Sequence, residues 1–194
     1  MPNKVVVLAS VAVAFCAVSA AAQGQRRQLA PHQHGHGTVN IAIDGSRVEI
    51  DLDVPAADIL GFENTPATAA EKVAVERAAA LLHDAASLFV MPAAAGCRVE
   101  DVEIKMEPSG AEHADYEVEF AFVCATPAVL TGITFAYFDK FPAASGLTVN
   151  VATGRGQNRS ELSRDTRRLN LGRDRKSTRL NSSHSQQSRM PSSA

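Results

Sequence analysis

Val39, Ile41 and Ile43, then Val48, Ile50, Leu52 and Val54, alternate with polar residues on either side of Asp44-Gly45. Strict period-two alternation around an Asp-Gly pair predicts a β-hairpin with one face toward a core and the other toward water. The connector "PAADILGFENTP" follows, with Ile59, Leu60 and Phe62 as its buried positions. Thr68 with Glu71 three residues on reads as a capping box, and Ala74, Ala78, Leu81, Leu82, Ala85, Leu88 and Phe89 recur at helical spacing until Pro92. The pattern predicts one long helix there. A strand from about Cys97 to Met106, the polar stretch "EPSGAEHA" and the strictly alternating "DYEVEFAFVC" predict a second hairpin. "ITFAYFDKF" and "LTVNVAT" complete the strands, and "QNRSELSRDTRRLNL" adds a final polar strand or short hairpin. The pattern describes one small α+β domain, mainly antiparallel β-sheet, with a long helix inserted after the first hairpin.

Pairing the second hairpin with Met106 opposite Asp115 sets Cys97 opposite Cys124, which suits a cross-strand disulfide. The ends of the chain bear on whether that bond forms. Lys4, the uncharged apolar run from Val5 to Val18, and Ala20-Ala21-Ala22 have the order of a cleavable secretory signal over residues 1–22. Its apolar run is too short to span a bilayer. Cys16 follows the bulky Phe15, where lipoprotein processing favours a small residue, so a soluble exported product is expected. Two cysteines then remain, and an even count in an oxidising compartment implies a disulfide, which removes both thiols as metal ligands.

Residues 23–37 form a histidine-containing leader and residues 38–172 the folded domain. The Ser/Arg-rich tail, residues 173–194, has almost no apolar periodicity and resembles vector read-through, so it and His184 are set aside. The formal net charge of -2 conceals an asymmetry. Residues 28–152 hold 6 Lys and Arg against 18 Asp and Glu, a net of -12. So acidic a body favours cations and disfavours nucleic acid as partner.

"HQHGHG", residues 32–37, is the sharpest chemical signal. In an extended chain, His32, His34 and His36 share a face and can converge on one ion. The same parity continues along the outward face, where a two-residue Asp44-Gly45 turn sets Asp53 opposite His36 and a four-residue loop makes it a diagonal neighbour. Imidazole with carboxylate suits zinc first, copper or nickel less. The competing reading is a solvated polar tail whose glycines keep the histidines mobile. Glu112, His113 and Asp115 form a second cluster at the turn of the cysteine hairpin. His83 reads as a helix-surface residue, and Glu49, Asp51 and Asp53 as a solvated strand face. The chain has no nucleophile elbow, no H-E-x-x-H and no phosphate-binding glycine loop, so no enzyme activity is expected.

Taken in order, "HQHGHGTVNIAIDG", "VEIDLDVPAADILGFENTP", "AAAGC", "HADYEVEFAFVC" and "FAYFDKFPAASGLTVNV" resemble the ZrgA-like family of bacterial periplasmic zinc-binding proteins over residues 32–171. The resemblance implies an exported, non-catalytic protein that binds zinc and assists its uptake, with a metal-transporter component as candidate partner and no membrane span after signal cleavage. Carried over by position, its leader motif falls on His32, His34 and His36, and its loop motif on His113 with Asp115. The family commonly has a long His- and Asp-rich run where this chain has only "EPSGAEHA", and tends to read G-F-E-H where this chain has Asn64. A lower zinc capacity is therefore expected. The alternative is a disulfide-stapled periplasmic interaction module that contacts a transporter or envelope partner and binds little metal.

Overall fold

The computed structural model describes residues 35–108 and 113–172, all within one compact unit. The expected signal segment, the leader through His34, and the tail from residue 173 lie outside the described residues. The first hairpin is β1, His36–Asp44, with β2, Arg47–Pro55. It closes on Gly45 and Ser46, one residue later than the Asp44-Gly45 turn expected, because Asp44 itself pairs with Arg47. Two short helices, α1 (Ala56–Leu60) and α3 (Ala85–Leu88), flank the long α2, Ala69–His83. The second hairpin is β4, Cys97–Pro108, with β5, Ala114–Cys124. Strands β7, Gly146–Thr153, and β8, Gly156–Ser163, complete a six-stranded sheet in the order β4-β5-β2-β1-β7-β8. A second sheet, β3 (Phe89–Val90), β6 (Gly132–Phe135) and β9 (Arg168–Asn170), is ordered β3-β6-β9. The fold is thus a small α+β domain, mainly antiparallel, with a Cys97–Cys124 disulfide.

The alternation read from the sequence places Val39, Ile41, Ile50, Leu52, Val118, Phe120, Leu147 and Val149 in the core. The small sheet closes that core: the Phe89 ring meets Phe120 edge to face at 5.0 Å and Phe135 at 5.3 Å. Among the described residues, no helix is long and apolar enough to cross a membrane.

Three further local expectations need correction. The helical periodicity does not run unbroken to Pro92: α2 ends at His83, α3 restarts after Asp84, and Phe89 belongs to a strand. "ITFAYFDKF" is only half strand, since Tyr137–Lys140 form the helix α4. Tyr137, Phe138 and Phe141 are all fully buried, a spacing that one face of a strand cannot bury but a helical turn can. Met106 lies opposite Tyr116, not Asp115. Val99 opposes Phe122 and Asp101 opposes Ala121, so Glu100 is the extra residue of a β-bulge that shifts the register by one. Cys97 still opposes Cys124 because the bulge lies beyond it. In addition, β1 pairs in parallel with β7, a long-range contact that local pattern does not announce.

Candidate metal centre

His36 opens β1, and the two glycines beside it are packed rather than loose. Gly35 has φ of 77°, a left-handed conformation, and is buried. Its N–H donates to the buried Asp58 carboxylate at 2.8 Å. Its carbonyl accepts from the backbone N–H groups of Ser145 and Gly146 and from the Ser145 hydroxyl at 2.7 Å. A Cβ on Gly37 would come within 2.2 Å of Val54 Cγ1 and 2.9 Å of the Asp53 carbonyl. At residues 35–37, then, the reading of a mobile tail fails: the glycines lock the histidine-bearing strand against its neighbours. The positive φ at Gly35 ends regular strand geometry just before His36, and His32 and His34 lie outside the described residues.

The His36 imidazole, 37% exposed, lies over β7. Its Nε2 is 3.0 Å from Thr148 Oγ1 and 3.6 Å from Glu161 Oε2. Thr148 Oγ1 in turn is 3.1 and 2.9 Å from the two Glu161 oxygens. Asp53 is opposite Thr38, hence diagonal to His36, the geometry attached above to the longer loop. Asp51 and Asp53 face Glu119 and Glu117 across the ladder to β5, giving the outward sheet face a dense acidic character.

His113 immediately precedes β5 and pairs through Nδ1 with Glu63 Oε2. The imidazole is 57% exposed and the Glu63 side chain only 16%. Asn64 turns the other way: its amide donates to the Thr65 carbonyl at 3.1 Å and reaches Glu71 at 3.5 Å. Asp115 is buried in β5 opposite Pro55 and Glu107. Continuing the β1–β2 register sets His36 beside Pro55, so His36 and Asp115 lie on one cross-strand row, about 10 Å apart at the backbone.

Of the six ligands expected, the structure places His36, Asp53, His113 and Asp115 on the large sheet or its margin, while His32 and His34 lie outside the described residues. His36 and His113 do not converge on each other. Each meets a carboxylate that the sequence had not singled out, Glu161 for His36 and Glu63 for His113. The outward parity of Thr148 in "LTVNVAT" and of Glu161 in "QNRSELS" was visible, but the parallel β1–β7 pairing that brings them to His36 was not. Among the described residues, no group of three or more His, Cys, Asp or Glu side chains gathers as a metal site. Cys97 and Cys124 are bonded to each other, S–S 2.04 Å, and so are not ligands.

Elsewhere, hydrogen bonding lowers one carboxyl and burial raises a phenol. Hydrogen bonds from the Thr68 and Ala67 backbone hold the Glu71 carboxyl at about 2, and burial, reinforced by the Asp58 charge, pushes the Tyr137 phenol well above its ordinary value.

The described residues thus set two imidazole–carboxylate pairs at the margin of an acidic sheet face in a disulfide-bonded α+β domain, donor types that suit divalent cations. The family model described as ZrgA family zinc uptake protein matches residues 31–171, and the chain belongs to that family, which ties it to zinc uptake. No curated protein matched the sequence.

Proposed function

We propose that the mature chain is a non-catalytic, periplasmic zinc-binding protein that captures zinc and hands it toward an uptake system. The signal segment (1–22) is removed, the leader (23–37) and domain (38–172) carry function, and the tail (173–194) does not. One observation carries the reading. The roots of the histidine leader and of the His113 loop lie at the same end of the large sheet, where β1 and β5 begin. A histidine–carboxylate pair lies at each root: His36 with Glu161, and His113 with Glu63. Family membership and the disulfide support extracytoplasmic uptake. The acidic sheet face raises the local concentration of a divalent cation before capture.

Calorimetric zinc titration of the mature protein without an affinity tag is the test. Replacing His32, His34 and His36 with alanine should weaken binding at least about tenfold, about 1.4 kcal/mol. Imidazole binds metal only when neutral and free histidine protonates around pH 6.5, so affinity should fall between about pH 6.5 and 5.5. Equal binding by wild type and the triple variant, or none below about millimolar, overturns the reading in favour of the interaction module.

A further inference from the structure

The chain from His36 to Glu161 has a direction that its chemistry decides. An ionised carboxylate has no proton to give, so both Glu161 oxygens can only accept. The Thr148 hydroxyl has one proton and lies 2.9 and 3.1 Å from those oxygens, so it donates there. Its lone pair is then what faces His36 Nε2 at 3.0 Å, and Nε2 must be the protonated nitrogen. The opposite arrangement, with Thr148 donating to Nε2, would press hydroxyl and carboxylate lone pairs together at hydrogen-bond distance.

We propose that Thr148 and Glu161 are positioning residues that hold His36 as its Nε2–H tautomer, leaving Nδ1 as the nitrogen that binds zinc. The inference rests on the zinc-capture reading above and says which atom performs it. Metal-ligating histidines characteristically donate their second ring N–H to a carboxylate or another acceptor, which fixes ring orientation and raises ligand basicity. Here a threonine hydroxyl relays that bond. Thr148 is buried, so its hydroxyl is held between its two partners. The Nδ1 edge of the ring lies over Gly146, where a Cβ would come within 2.7 Å of Nδ1 and 3.2 Å of Cε1. A side chain at 146 would displace the ring, so glycine there lets it keep this position. None of the three partners lies near His36 in sequence; β7 and β8 supply them all.

The test has two parts, and the first needs no metal. In the ¹⁵N-labelled zinc-free protein, long-range ¹H–¹⁵N spectra should show His36, assigned by its loss in His36→Ala, as the Nε2–H form. Thr148→Val should convert it to a mixture of tautomers, and Thr148→Ser should restore it. A predominant Nδ1–H form in the wild type overturns the relay. In the second part, zinc should perturb Nδ1 rather than Nε2. Thr148→Val and the edge-strand variant Glu161→Gln should weaken zinc binding by about 10- to 100-fold, with Thr148→Ser at wild-type affinity. Zinc-induced perturbation of Nε2, or wild-type affinity in both weakening variants, overturns the ligand assignment. If the wild type takes up no zinc, the capture reading fails with it, while the tautomer spectra still decide the relay. Equal melting temperatures across the variants separate lost positioning from lost fold.

Discussion

Cys97 lies directly across the β4–β5 ladder from Cys124, and their disulfide staples the two strands on the near side of the Glu100 bulge. The bond spans a sequence separation of 27. In the loop-entropy picture, closing a loop of that size stabilises a domain by about 3.5 kcal/mol. The double variant Cys97→Ala/Cys124→Ala should therefore lower unfolding free energy by about 2–4 kcal/mol in urea titration. A loss well under 1 kcal/mol would mean that the ladder needs no covalent help.

Gly37 should tolerate no side chain. Gly37→Ala drives a methyl group into Val54 and the Asp53 carbonyl, backbone that cannot rotate away, and overpacking of this kind costs about 1–3 kcal/mol. Gly45→Ala is the comparison, because a Cβ there meets nothing within 4 Å, although its φ of 56° adds local strain. Thermal melts should rank Gly37→Ala as the more damaging. The reverse order would contradict the close approach of β1 to β2.

Arg164 holds the segment between α4 and β7. Its guanidinium donates to the carbonyls of Phe138 at 2.7 Å and Ala144 at 2.9 Å, and also meets that of Pro142. Arg164→Met keeps much of the apolar stem but leaves those carbonyls without their donor, at an expected cost of about 1–3 kcal/mol. Because the Ser145 and Gly146 N–H groups donate to the Gly35 carbonyl, hydrogen exchange at Ser145 and Gly146 should quicken in this variant. Unchanged exchange there would show that the segment is held by other contacts.

Acid should loosen the start of α2. The Glu71 carboxyl is held at about 2, against 4.5 for a free glutamate, chiefly by the Thr68 and Ala67 backbone N–H groups. A depressed folded value stabilises the fold above the unfolded value and loses that contribution as pH falls from about 4.5 through 2. Glu71→Gln lacks this ionisation, so its melting temperature should differ from wild type at pH 6 and converge on it toward pH 2. Parallel curves over that range would exclude Glu71 as the source.

Local pattern made the hairpins, the capping box and the cysteine pair legible, because each depends on residues close in sequence or on one ladder. The Glu100 bulge was missed, although its signal is present in the sequence. The apolar positions of β4 switch from odd numbers, Cys97 and Val99, to even ones, Val102, Ile104 and Met106, and only an inserted residue keeps both sets facing one way. The helix at Tyr137 was hidden by aromatic residues, which favour strands when unpartnered but here fill a core. Half of the candidate site was out of reach for a different reason. His36 was read from its motif, but Thr148 and Glu161 reach it only through the β1–β7 pairing, a tertiary choice that no window of sequence contains. Glu63 likewise meets His113 across 50 residues of chain.

The pairing of β1 with β7 also imposes an order of events. β1 is central in the six-stranded sheet, yet its parallel neighbour begins at Gly146, and His36 and Thr148 are 112 residues apart. A chain emerging amino-terminus first can form the β1–β2 hairpin at once, but the other flank of β1 stays unpaired until nearly the whole domain has emerged. Distant closure of this kind is entropically costly and slow. His36 is thus delivered first and given its Thr148 and Glu161 partners last. On the proposed reading, secure capture of zinc at His36 must await the final strands.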